Sequence, residues 1–298
     1  MHVQNHDFNH SRVFAVGIFL NISYVAVEFF IGLWIGSLGL LADAGHNLGD
    51  VFGLLIAWFA HFMTKRQPTR YRTYGFKRSS ILAAMFNGFM ILFVAGAIAW
   101  EAIRRLLSPQ PVQGLVIIVV AAAGVVINSL TAYLLHSSGK NDLNIRGAFL
   151  HMFADASLSL GVVLGGVMIY FTDWLWIDPL VSLMVVLVII LSSWDLFKKS
   201  LNLALDAVPP NIDPLSIRNY LSDLPGITDV HHLHIWAMST TETAMTVHLI
   251  KPDGRTDDQM LRDISDNLRN QFKIDHVTIQ LENGATDDKF CFDPGMMI

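Results

Sequence analysis

The chain has 298 residues, 53% hydrophobic and only 15% charged, with apolar stretches of roughly 20 residues, the composition of a polytopic membrane protein rather than a water-soluble globule. Its one cysteine, Cys291, excludes an internal disulfide framework and any multi-cysteine zinc site within one chain. Charge is unevenly divided. Residues 1–206 carry 13 Lys and Arg against 11 Asp and Glu, a balance of +2, whereas residues 207–298 carry 7 against 14, a balance of −7. An acidic soluble tail suits cations and argues against a nucleic-acid partner.

Residues 1–12 read as a polar N-terminal arm in which His2, His6 and His10 stand at helical spacing. Histidines scattered in a terminal stretch are more simply incidental than metal-collecting. The arm does not read as a signal peptide: no basic residue precedes Arg12, and the apolar run after it is too long. Six spans follow, at 13–34, 38–63, 80–103, 113–136, 146–170 and 177–197. Basic residues sort the links between them. Lys65, Arg66, Arg70, Arg72, Lys77 and Arg78 lie between spans 2 and 3, Lys140 and Arg146 border the 4–5 link, and Lys198 and Lys199 follow span 6. The other face carries only Arg104 and Arg105. By the positive-inside rule both termini are cytoplasmic. Trp34, Trp58, Trp100, Trp174, Trp176 and Trp194 fall near span ends, as an interfacial belt requires. Gly161 and Gly165 form a small-residue step that lets a neighbouring helix approach span 5.

After Asp206 the composition changes. Pro209, Pro210 and Pro214 break the helix, and Asp213 caps a short helix to about Leu224. Residues 227–238 and 243–251 read as strands, 257–272 as an amphipathic helix and 276–282 as a strand. The order αββαβ indicates a ferredoxin-like α+β domain. The expected architecture is therefore an all-α six-helix transmembrane domain over 13–206 and a cytoplasmic α+β domain over 207–298, ending in an irregular tail from Asn283.

The chemistry lies in two copies of one pattern, His46-x-x-x-Asp50 in span 2 and His151-x-x-x-Asp155 in span 5. A spacing of four puts each pair on one helical face, a turn apart. Ionisable groups inside a bilayer are expensive and mark ion paths. Spans 2 and 5 run antiparallel in this topology, so the pairs meet near mid-membrane as a two-imidazole, two-carboxylate shell for one divalent metal. That borderline donor set suits Zn²⁺ and admits Cd²⁺, Co²⁺ or Ni²⁺. Metal and protons compete for the same atoms, which is the physical basis of metal/proton antiport. Nearby, Glu28 shares a face with Asn21 and either lines an access path or sits at the outer interface. Asp43 either orients His46 or caps span 2, while Asn87, Asn128 and Asp178 read as packing groups.

The chain resembles the cation diffusion facilitator family, in particular its bacterial zinc-exporting branch. The resemblance rests on GSLGLLADAGHNLGD over 36–50, YGFKR over 74–78, HMFAD over 151–155, Asp178-Pro179 and VHHLHIW over 230–236. It implies a homodimer of six-helix subunits that moves Zn²⁺ out of the cytosol against protons through His46, Asp50, His151 and Asp155, and the short chain with few loop insertions suggests a bacterial inner membrane. It also implies a cytoplasmic metal site of His231, His248 and Glu282, with His234 a spare. Members with Asp in place of the first His are less selective, so His46 favours zinc over cadmium. The family's acidic residue after the Tyr-Gly motif is replaced here by Ser79 and Ser80, and its paired-cysteine tail by Cys291 alone. Two other readings are an intramembrane metalloenzyme and a membrane-anchored metal sensor. Four matched ligands leave no open catalytic position for the first, and the second leaves both buried pairs unexplained.

Overall fold

The computed structural model describes residues 21–138, 143–253 and 258–284. The histidine arm, the first part of span 1, Lys140 and the tail with Cys291 lie outside the described residues. Two compact units emerge, residues 1–55 with 86–196 and residues 56–85 with 197–298.

The helices are α1 (Asn21–Ile35), α2 (Leu38–Thr64), α3 (Ser79–Leu107), α4 (Gly114–Ser138), α5 (Leu143–Thr172) and α6 (Ile177–Ala204). Among the described residues, four segments are long and apolar enough to cross a membrane, one each in α3, α4, α5 and α6. α3 and α6 run on to Leu107 and Ala204, beyond the expected span ends at 103 and 197, because hydropathy finds only the lipid-matched middle of a helix. In the last turn of α3, Arg104 and Arg105 both bond Glu101, and Arg105 also donates to the Gly36 carbonyl at the end of α1. Trp34, Trp58 and Trp100 are strongly exposed, as lipid-facing rings should be.

Asp178, in the first turn of α6, is buried and spans to the start of α2. Its carboxylate accepts from the Ser37 hydroxyl (2.6 Å), the Leu38 N–H (2.8 Å) and the Gly39 N–H (3.1 Å). Ser37 Oγ in turn accepts from the Leu40 N–H at 3.3 Å. Orphan donors at a helix start need acceptors where water is absent. A residue 140 positions away supplies them. Gly165 gives α6 its close approach to α5: an added Cβ would stand 2.7 Å from Val181 Cγ2. Gly161, the other half of the expected step, has nothing within 4 Å among the described residues, so only one of the two glycines makes a helix contact here.

The second unit carries α7 (Pro214–Ser222), β1 (Asp229–Ala237), β2 (Thr243–Ile250), α8 (Asp258–Phe272) and β3 (His276–Glu282), the αββαβ order read above. Asp213 caps α7 by accepting from the Leu215 and Ser216 N–H groups. Those bonds and the Ser216 hydroxyl hold its carboxyl below the usual range. The helix ends at Ser222, two residues earlier than Leu224, because Asp223 takes over as its C-cap. The described strands form a sheet ordered β1-β2-β3, antiparallel between β1 and β2 and parallel between β2 and β3, with α8 as the crossover. Val230, Ile235, Met245, Val247 and Leu249 face a core shared with Ile217, Leu221, Ile264 and Leu268. The spacing of Ile264 and Leu268 puts them one turn apart on α8.

Candidate metal centre

In α2 and α5 the two sequence pairs form one cluster. His46 Nε2 lies 3.4 Å from Asp155 Oδ1 and 3.8 Å from Asp50 Oδ2. His151 Nε2 lies 3.1 Å from Asp50 Oδ2 and 3.6 Å from Asp155 Oδ2. A tetrahedral ion with bonds of about 2.0–2.1 Å holds its ligand atoms roughly 3.3–3.4 Å apart. These four edges scatter about that value, with Asp155 meeting His46 and His151 through different oxygens, and one ligand atom each from His46, Asp50 and Asp155 lies within 4.8 Å of the others. The cross-helix pairs run 46 with 155 and 50 with 151, and Ser159 donates to Asp43 Oδ2 at 2.6 Å one step further along. Pairs that descend on one helix and ascend on the other define an antiparallel seam.

The seam is dry at one end. Side-chain exposure rises from 1% at Asp155 and 12% at His46 to 31% at Asp50 and 45% at His151. Among the described residues neither oxygen of Asp155 is hydrogen-bonded, nor is His46 Nδ1. A buried carboxylate that accepts no hydrogen bond is costly, and a cation would offset that cost.

The second unit has its own cluster. His248 Nδ1 lies 2.8 Å from Glu282 Oε1, and His231 Nε2 lies 3.3 Å from Glu282 Oε2. One ligand atom from each of the three falls within 4.8 Å of the others. His231 Nε2 is buried and without a hydrogen bond among the described residues, so the donor set fits a divalent cation. His231 pairs with His248 across β1 and β2, and Glu282 closes β3 beside Ile250, which brings the three residues to one face of the sheet. His234, the spare, is exposed.

Comparison with known proteins follows this geometry. Residues 14–203 match the cation efflux transmembrane domain, and residues 209–284 match the cation efflux protein cytoplasmic domain. The chain belongs to the cation efflux family. It is 35% identical to the zinc transporter ZitB of Escherichia coli, over 94% of this chain and 91% of that one. It is 34% identical to the metal cation efflux system protein CzcD of Cupriavidus metallidurans, over 94% and 89%. A cadmium, cobalt and zinc/H(+)-K(+) antiporter of Bacillus subtilis is 34% identical over 95% and 92%. The solved metal-bound C-terminal domain of the CzcD transporter is 33% identical, covers 24% of this chain and 99% of its own, and gives a TM-score of 0.22. As a cation efflux protein the chain is a transporter integral to the membrane and not an enzyme.

Other polar groups of this efflux protein divide clearly. Asp43 is fully buried and bonds Ser159, while Ser37 and Asp178 cap α2, so the capping alternative for Asp43 is not what the helix uses. Asn47 donates to the Asp43 carbonyl at 3.0 Å. Glu28 is fully buried and lies beside Tyr24 and Asp43. Asn21 donates to Asn128 at 3.3 Å, tying α1 to α4. The sequence reading missed a network in the second unit: Lys77 donates to Glu242, and His276 Nε2 lies 3.5 Å from the same carboxylate. Lys77 above all, then His276, holds the Glu242 carboxyl below the usual range. The basic 2–3 link speaks in the sequence for topology and, through YGFKR, for the resemblance, and nothing local to it names Glu242 as a partner.

Proposed function

We propose that this protein exports Zn²⁺ from the cytosol in exchange for protons, with His46, Asp50, His151 and Asp155 as the transport site. The observation that carries this reading is the convergence of His46, Asp50, His151 and Asp155 across one antiparallel helix seam, with ligand atoms of His46, Asp50 and Asp155 within 4.8 Å of one another. Zinc is named in the relatives from Escherichia coli and Bacillus subtilis, and an imidazole–carboxylate shell suits it. Each ligand must shed its proton to hold the metal, and takes one up when the metal leaves. A carrier that presents this shell alternately to each side therefore exchanges metal for protons.

The remaining organisation follows from the same reading. Six spans over 13–206 place both termini, the arm 1–12 and the ferredoxin-like domain 207–298 on the cytosolic side of a bacterial inner membrane. The more exposed ligands, Asp50 and His151, point toward the α2–α3 and α4–α5 links, the basic and hence cytosolic side. Metal thus enters from the cytosol and reaches last Asp155 and His46, the two ligands already shielded from water. The cytoplasmic domain pairs two copies of the chain and binds metal through His231, His248 and Glu282.

Radiolabelled or dye-reported Zn²⁺ flux into proteoliposomes tests the site. Asp155→Ala should lose transport while the protein still expresses and folds. Wild-type flux in that variant would remove Asp155 from the site.

A further inference from the structure

We infer that His232 is a fourth ligand of the cytoplasmic cluster, completing a three-histidine, one-glutamate shell for a single divalent cation. The inference rests on the proposed metal role of His231, His248 and Glu282.

In a regular strand successive side chains point to opposite faces, so His231 and His232 should lie on opposite sides of the sheet. The register shows otherwise. His231 pairs with His248 and His234 with Thr246, so β1 advances three residues where β2 advances two. One extra residue makes a bulge. Val230 faces the core, Leu233 packs against it, and Ile235 is buried again, which leaves both His231 and His232 on the opposite face.

The bulge places the ring. His232 has φ +48°, in the left-handed region that a non-glycine residue adopts at a cost. Its ring centroid lies 5.1 Å from that of His248 and 5.4 Å from that of His231, while His231 and His248 are 5.3 Å apart. Three imidazoles thus form a nearly equilateral triangle, with Glu282 against two of them. Asp229 Oδ2 lies 3.7 Å from His231 Nδ1, where it can orient that ring from behind. Three histidines and a carboxylate are a full tetrahedral set for Zn²⁺ or Co²⁺. His234 stands outside the triangle, exposed, with its ring 6.1 Å from His232.

Co²⁺ binding to the purified full-length protein tests this, with Asp155→Ala present throughout to silence the membrane site. The intense visible bands of tetrahedral Co²⁺ report the shell, and titration gives affinity and stoichiometry. His232→Ala should keep one cytoplasmic Co²⁺ but weaken its binding about tenfold or more and dim the bands as solvent replaces a ring. His232→Gly should do the same while raising the melting temperature of the metal-free protein, because glycine relieves the left-handed strain. A structural role for His232 would not produce that opposition. Wild-type affinity and spectrum in both His232 variants, with binding lost in His231→Ala, would overturn the fourth ligand and leave a three-residue site. Unchanged binding in His231→Ala as well would overturn the underlying metal site too.

Discussion

Replacing Asp178 with alanine tests how the start of α2, the helix that carries His46 and Asp50, is held. The change removes an acceptor from the Ser37 hydroxyl and from the Leu38 and Gly39 N–H groups, all buried. An unmade bond at a buried donor costs about 1–3 kcal/mol, and relief from burying a carboxylate offsets part of that, so a net loss of about 2–4 kcal/mol is expected. At about 2–4 °C per kcal/mol for chains of a few hundred residues, the melting temperature should fall by roughly 5–15 °C. Asp178→Asn keeps one acceptor oxygen and should lose about half as much. Thermal unfolding of the purified protein in detergent, followed by intrinsic tryptophan fluorescence, reads both. A melting temperature for Asp178→Ala within about 1 °C of wild type would refute the cap as a stabilising contact.

Three further changes probe other parts of the molecule. His46→Asp exchanges a ring nitrogen for a harder, charged oxygen donor and should raise Cd²⁺ transport relative to Zn²⁺ in a competition assay; an unchanged ratio would count against His46 as the selectivity ligand. Gly165→Leu must push Val181 aside and should destabilise by about 1–3 kcal/mol, whereas Gly161→Leu meets open space; equal melting temperatures would contradict the assigned contact. Glu242→Gln tests the Lys77 pair. Because the folded carboxyl titrates below its ordinary range, its stabilisation is present above that range and disappears as pH falls through the folded value. The variant should therefore be about 0.2–1 kcal/mol less stable at pH 7 and level with wild type once pH has fallen below the folded carboxyl's own range, and a gap that persists there would assign the loss to packing.

The meeting of the two His-Asp pairs was legible because its signal is local. Two i, i+4 pairs of costly side chains in apolar helices need only helix periodicity and a topology to be brought face to face. The αββαβ order was legible for the same reason, since alternation on β2 and a four-residue stripe on α8 are short-range patterns. Asp178 was legible only as a packing group; that its partners are the orphan donors at the start of α2 is a long-range fact that only the packed helices show. His232 hid behind a rule. Strict alternation puts it in the core, and the spacing of three between Val230 and Leu233, followed by two to Ile235, is the one trace of the bulge in the sequence. Helix ends were short in the reading because Arg104, Arg105, Lys198 and Lys199 lower hydropathy without ending a helix.

Metal movement under an imposed proton gradient tests the central claim most directly. Wild-type protein and Asp155→Ala are reconstituted in liposomes, Zn²⁺ is added outside, and the lumen is set either acidic or at the external pH. The account predicts Zn²⁺ accumulation that follows the acidic lumen, luminal alkalinisation in step with it, and neither signal in Asp155→Ala. Zn²⁺ flux of equal size with and without the gradient, and no proton counterflow, would contradict exchange at the four-ligand site.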